Sequence, residues 1–516
     1  MLAIMRDAPG SKLLQDWIAR AAARLPQKPW VIAADDGRTV DYARLRDFVG
    51  RFAAWLKRRG IGPNDRVALL ADNSIEQLLC YFGVMAAGAT VCTVHVEMNR
   101  NQLGDIHDRL KPKLILHQDG LRLDEALGAV PSPRLAIGRH DAPGADTLFG
   151  ELARCTPDEP EPAASPDDDA VILFTSGTNT KPKGVVLNFR EFLSNIDPVA
   201  EGFGIGADDR LYDFRPFSWA SAQLLGALAP VNRGATLVLA EKFSASRFFG
   251  HLRDHDVTVA TGNPTTLNIL LNSEIKFEGD ALPKLRFVTS SSAPLLLDEW
   301  KRFEQKFGIR VAQGYGASEA SWIAAISGEE RRLGTVGRAF AYHDVAIVDG
   351  DGRRLPAGDI GYVEVGGWTD HPFRYLAEDG EIRVHARGRI RTGDIGCLDG
   401  DGFLMLTGRE KELIIRGGAK ISPLEIDACL MQCAEVIEAA TVGVPDAIYG
   451  EEVVSYVVGR PGAALDTAAL LRHCADALPA FKAPKQIVLA NALPKTERGK
   501  LDRKALAERW KTRRPD

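Results

Sequence analysis

An apolar run, Val171-Ile-Leu-Phe174, passes without a break into small hydroxylated residues, glycines and lysines: the stretch 171–185 reads VILFTSGTNTKPKGV. Four consecutive apolar residues bounded by turn formers match a strand buried on both faces, and such strands belong to layered α/β architectures. The loop that follows must therefore leave a sheet at a defined edge. Backbone N–H groups, the hydroxyls of Thr175, Ser176 and Thr178, the close approach allowed by Gly177 and Gly184, and the Lys183 ammonium all suit phosphate oxygens. The loop is not a Walker P-loop, because no Lys-Ser/Thr pair follows Gly184. Taken alone, a structural turn is the other reading of these residues.

The rest of the chain fits layering. Amphipathic helices are expected over 42–59 and 75–87, alternating with short apolar strands over 67–70 and 113–117. At 516 residues the chain exceeds what one hydrophobic core organises, about 250–300 residues, so at least two domains are expected. Breaks fall at the Asp/Pro-rich stretch 156–169, at the Gly/Asp turns of 349–360 and at Asp-Gly-Asp-Gly, 399–402. Beyond about residue 408, strand candidates at 439–444 and 453–458 and a helix at 467–477 outline a compact α+β unit.

Composition removes several classes of function. A net charge of −5 supplies no general field for nucleic acid or an anionic membrane, so no nucleic-acid partner is expected. Asp7, Lys12 and Asp16 interrupt the N-terminal segment, which excludes a signal peptide or integral membrane anchor there and points to the cytoplasm. The seven cysteines form no C-x-x-C pair and the ten histidines no HExxH, so a metal held wholly by protein ligands is not expected.

Further motifs follow the loop: Gly314-Tyr-Gly-Ala-Ser-Glu319, Arg391-Thr-Gly-Asp394, Gly408-Arg-Glu-Lys-Glu-Leu-Ile414 continuing through Gly417-Gly418, and Leu493-Pro-Lys-Thr-Glu-Arg-Gly-Lys500. Together with TSGTNTKPKGV, in this order, they resemble the signatures of the adenylate-forming (AMP-binding) superfamily, which includes the acyl-CoA synthetases. The resemblance covers roughly residues 30–506. Asn179 and Thr180 depart from it, standing where the family usually has a hydroxyl residue and a glycine, and Ser290-Ser-Ser-Ala-Pro294 replaces the usual GGAP.

The resemblance implies an α/β fold: a large N-terminal domain of mixed sheets sandwiched by helices, residues 1–408, and a small mobile α+β domain, 409–516, hinged near Lys411. It implies ATP, Mg²⁺ and coenzyme A as reactants or cofactors, a carboxylic acid as substrate, and a monomer or homodimer. Thr175, Ser176, Gly177, Thr178, Lys183 and Gly184 would hold the triphosphate. Ser292, Ala293, Pro294, Gly314, Tyr315 and Gly316 would surround the nucleotide, with Tyr315 against adenine. Ser318 would meet the α-phosphate, Glu319 would carry Mg²⁺, and Asp394 and Arg409 would take the ribose. Lys500 would offset the repulsion between carboxylate and phosphate as they meet. Gly417 and Gly418 would border the tunnel for the CoA arm.

The acyl pocket is expected around Phe217, Trp219, Gln223 and Asn263. Trp219 stands where many CoA ligases carry a histidine, which favours a small or polar acid over a long fatty acid. Ser218 takes the place of the aspartate of amino-acid-activating relatives. Arg215 is either a partner for a second substrate anion or a structural ion-pair member. Transfer of the acyl group to a separate carrier protein, and a non-catalytic binding protein of the same fold, are the competing functional readings.

Overall fold

The computed structural model describes residues 10–121, 131–157, 164–174, 182–277, 281–326, 330–367, 372–496 and 500–512. Two large mixed sheets form its centre. One has eight strands, in the order Ile382–Arg387, Pro372–Leu376, Gly184–Asn188, Asp169–Phe174, Thr90–Val94, Arg66–Leu70, Leu114–His117 and Arg134–Ala136. From Asp169–Phe174 onward in that order the pairing is parallel, and the three remaining strands are added antiparallel. The other sheet has nine strands and a parallel centre comprising Pro29–Ala33, Thr236–Leu239, Arg210–Asp213, Val259–Ala260, Phe287–Ser290 and Val311–Ala317.

Parallel strands read as near-continuous apolar runs because helices cover both faces. Every residue of Thr90–Val94 and Asp169–Phe174 is buried. The helices Tyr42–Arg58 and Ile75–Ala86, each capped by a side chain (Asp41 and Ser74), pack between the sheets in the largest core cluster, which includes Trp30, Phe52, Phe82, Phe192 and Trp322.

A four-stranded antiparallel sheet follows: His343–Val348, Gly361–Gly367, Arg389–Leu398 and Leu404–Arg409. Across the single turn Glu410–Glu412 the chain leaves that sheet and enters the last one, where Ile414–Arg416, Ala419–Ile421, Val436–Asp446, Gly450–Gly459 and Gln486–Leu489 pair. This C-terminal sheet has its own cores, one around Ile414, Ile426 and Val457 and the other around Val442, Tyr456 and Leu506. The strands and helices expected from periodicity are all present, and the helix Thr467–Ala477 has the expected ends. Among the described residues no helix is long and apolar enough to cross a membrane.

Candidate active site

In open α/β sheets, ligand crevices lie beyond the carboxyl ends of parallel strands. Four such ends converge here. Leu173 and Phe174 end one strand; the segments after Asp213 and Ser290 bring Ser218–Ser221 and Ser291–Ser292; Gly316–Ser318 end and follow Val311–Ala317. These residues line one cleft, together with Trp322, Arg409 and Lys500. Lys500 thus reaches, from the C-terminal sheet's side of the chain, a wall built by the large sheets. The Thr496 N–H donates to the Lys500 carbonyl at 2.6 Å.

Strand register fixes the next group. Asp394 pairs directly with Arg409 across two antiparallel strands, and the Arg409 Nε lies 3.0 Å from Asp394 Oδ1. Tyr315, on the strand Val311–Ala317 of the nine-stranded sheet, donates its hydroxyl to Asp394 Oδ2 at 2.6 Å. Tyr315 and Asp394 are both buried. Burial, reinforced by the Asp394 charge, pushes the Tyr315 phenol well above its ordinary pKa, so it stays a donor at any working pH. Each carboxylate oxygen carries two acceptor sites, so Asp394 keeps capacity for further donors.

A second chain of contacts runs along the cleft's flank. Tyr375, on Pro372–Leu376, donates to Glu319 Oε1 at 2.8 Å, and the Lys183 ammonium lies 5.4 Å from the centre of the Tyr375 ring. Burial and the Glu319 charge raise the Tyr375 phenol as well. Tyr375 carries no signal in the sequence, since a single tyrosine on a strand is ordinarily a packing residue.

Thr175, Ser176, Gly177 and Thr178, with Asn179 and Thr180, lie outside the described residues. Gly314 and Tyr315 sit on the strand that ends at the cleft, and Ala293 and Pro294 in the loop from Ser290 to the helix Leu297–Phe307. Ser292 adopts φ +76°, a left-handed conformation that costs a non-glycine residue about 1–2 kcal/mol and explains why glycine suits this place.

Of the expected acyl-pocket residues, Trp219 lines the cleft and three do not. Phe217 is core. Gln223 donates to Thr93 Oγ1 and the Phe217 carbonyl at 2.9 and 2.7 Å and accepts from Tyr81. Asn263 caps the helix Pro264–Leu271 by accepting from the Thr266 N–H. Arg215 is fully buried in an ion pair with Asp213, 2.6 Å from Nη2 to Oδ2, so its charge is already matched within the protein. Lys411 is exposed in the turn Glu410–Glu412, away from the cleft lining. Gly417 and Gly418, with φ of +57° and +87°, form a hairpin turn that L side chains rarely permit.

The model of the AMP-binding enzyme family matches residues 18–369, and that of the AMP-binding enzyme C-terminal domain residues 425–500. A sulfoacetate–CoA ligase of Cupriavidus necator is 33% identical over 495 residues, spanning 94% of this chain and 96% of that protein. An oxalate–CoA ligase of Arabidopsis thaliana is 30% identical over 97% of this chain and 99% of its own length. The solved structure of ATP-bound MatB from Rhodopseudomonas palustris superposes with a TM-score of 0.85 at 27% identity, covering 96% of this chain and 99% of MatB.

Proposed function

The chain belongs to the AMP-binding enzyme family, and from that membership we propose the following assignment of its reaction to its residues. The enzyme is an AMP-forming acid–thiol ligase: a carboxylate attacks the α-phosphorus of ATP, pyrophosphate leaves, and the thiol of coenzyme A then displaces AMP from the acyl-adenylate. The observation that carries this reading is the Lys500 side chain in the cleft lined by Ser318, Ser292 and Arg409. Two anions must meet there, and a preorganised ammonium stabilises the charge that builds on the phosphate in the transition state.

Asp394 and Arg409 take the ribose, Tyr315 lies at the base, and Lys183 with the loop before Gly184 takes the phosphates. Glu319 offers one hard carboxylate, oriented by Tyr375, and that donor set fits a magnesium ion whose other ligands are phosphate oxygens and water. When bound, the ion would draw charge from the leaving pyrophosphate; Glu319 and Tyr375 hold its place.

The change of sheets across Glu410–Glu412 supports a boundary at about residue 409, with Lys411 in the turn about which the C-terminal unit rotates between the two half-reactions. Gly417 and Gly418 then border the path of the CoA arm. Relatives acting on sulfoacetate and oxalate, each aligned over nearly the whole chain, favour a small polar acid for this enzyme.

The test is AMP and pyrophosphate release from ATP with a panel of short, branched, hydroxylated, dicarboxylic, aromatic and long-chain acids, with and without CoA. CoA-dependent AMP formation restricted to short polar acids supports the assignment. Pyrophosphate release indifferent to CoA would move the acceptor to a carrier protein.

A further inference from the structure

Lys183 stands just outside the strand Gly184–Asn188. Gly184 pairs with Phe174 on one side and Leu376 on the other, and a Cβ on it would come within 3.0 Å of Leu376 and 3.2 Å of Phe174. Pro182 and Lys183 lie beyond those ladders, and a proline has no N–H with which to join one. What holds Pro182 is a side chain from another element: Arg109 Nη2 donates to its carbonyl at 2.7 Å.

Arg109 lies in the last turn of the helix Arg100–Leu110 and is buried. Its guanidinium meets three groups at once: the Pro182 carbonyl, Asp105 Oδ2 at 2.6 Å one turn back on the helix, and the Phe174 ring, whose centre is 5.4 Å away. Phe174 and Pro182 flank residues 175–181 in sequence, so one planar group touches both sides of that stretch. A fork of donors with a flat face suits this task, and the single ammonium of a lysine does not. The pair with Asp105 accounts for burying the charge, but not for the bond that leaves the helix for Pro182. The same helix end is also fixed to the Tyr375 side of the site. Arg66 Nη1 donates at 3.0 Å to the carbonyls of both Leu110 and Gly380, and Lys111 Nζ donates to the Asp379 carbonyl at 2.8 Å. Asp379 and Gly380 lie in the turn that joins Pro372–Leu376, the strand of Tyr375, to Ile382–Arg387. The helix end thus bridges two segments whose side chains meet, the Lys183 ammonium and the Tyr375 ring that holds Glu319.

We infer that Arg109 is a positioning residue for the triphosphate of ATP: it fixes Pro182, and through Pro182 it sets the place of the Lys183 ammonium without touching the nucleotide. The inference rests on the ligase reading, in which Lys183 takes the phosphates, and adds a residue to that site. Its consequence is selective. Lys183 lies on the flank of Glu319 and Tyr375, where pyrophosphate leaves, and AMP carries no phosphate to place there. Arg109 therefore matters for binding ATP and not for binding AMP.

Titration calorimetry with Mg-ATP and with AMP, in the absence of acid, compares wild-type enzyme, Arg109→Met, Lys183→Ala and the double variant. Arg109→Met is expected to raise the Kd for ATP about tenfold, the worth of one hydrogen bond from a charged group, while the Kd for AMP holds. In the Lys183→Ala background the same substitution should change ATP binding little, because residues that act as a unit are not additive. Arg109→Lys keeps a cation beside Asp105 and is expected to move the Kd for ATP in the same direction. It takes the place of Arg109→Met if that variant does not fold. A merely structural residue would weaken ATP and AMP together. Equal weakening of the two nucleotides, an effect undiminished in Lys183→Ala, or ATP affinity unchanged in both Arg109 variants would overturn the positioning role and leave the ligase reading intact. ATP binding undiminished in Lys183→Ala would overturn the phosphate role of Lys183 and the inference with it.

Discussion

The Asp213 carboxylate accepts from Arg215 Nε and Nη2 at 3.0 and 2.6 Å, from the Arg215 N–H at 2.9 Å and from Thr261 at 2.8 Å, with no exposure of either charged side chain. A pair of this kind adds little net stability when whole, because desolvation offsets attraction, but removing one partner strands a buried charge. Asp213→Asn is expected to lower unfolding free energy by about 3–5 kcal/mol in denaturant titration, and the double change to Asp213→Leu with Arg215→Met to recover most of that loss. Tyr375 is a positioning residue of a different kind. Tyr375→Phe removes the only donor to Glu319 recorded among the described residues and is expected to lower kcat/KM for ATP about tenfold, since hydrogen bonds to charged groups contribute about 1.5–3 kcal/mol. The melting temperature should change little, and a parallel thermal scan checks that the loss is local.

At the scale of elements, the helix Arg503–Thr512 begins just after Lys500, and its first residue ties it down. Arg503 reaches Asp427 at 2.6 Å, Glu412 at 3.3 Å and the Thr441 carbonyl at 2.9 Å, so the tail carrying the lysine is clamped to the C-terminal core. Arg503→Met is expected to slow single-turnover pyrophosphate release while the Kd for ATP is unchanged, because the nucleotide contacts lie on other elements. The elements themselves were largely legible in the sequence. The helices expected over 42–59 and 75–87 from a 3.6-residue apolar period are found at Tyr42–Arg58 and Ile75–Ala86, and the apolar run 171–174 lies within the buried strand Asp169–Phe174. The expected acyl-pocket side chains other than Trp219 are engaged within the protein: Phe217 packs in the main core, and Gln223 lies in the π-helical segment Ala222–Leu228 with its amide donating to Thr93 and the Phe217 carbonyl. Asn263 was readable as a helix cap, since Asn-Pro-Thr-Thr has the N-cap and N1 proline pattern. Tyr375 was not readable, because its partner Glu319 is distant in the chain and meets it only where the turn after Val311–Ala317 comes against the strand Pro372–Leu376.

Over the whole molecule, the contact between the C-terminal unit and the large sheets contains a titratable group. Glu299, on the helix Leu297–Phe307, is buried; Asn268 donates to it at 3.0 Å, and Arg302, Glu438 and Lys495 are the charges facing it, the last two from the C-terminal unit. Burial outweighs the other influences and raises its carboxyl to about 7 from an ordinary 4.5. A folded-state pKa above the unfolded one means stability is fully present below about 4.5 and is lost as pH rises through 7. Glu299→Gln should therefore flatten the decline in stability between those limits, read as melting temperature against pH. A rotation that carries Glu438 and Lys495 away would hydrate Glu299 and release its proton, making the turnover between half-reactions pH-dependent in the same window.

The central claim is that Lys500 serves formation of the adenylate and that CoA receives the acyl group. The most direct measurement is pyrophosphate release and thioester formation by wild-type and Lys500→Ala enzyme, starting either from acid and ATP or from supplied acyl-adenylate. Loss of a transition-state cation should slow the first reaction about 10²–10³-fold and leave thioester formation from the supplied adenylate near the wild-type rate. Equal loss of both reactions, or adenylation undiminished in Lys500→Ala, would contradict the account.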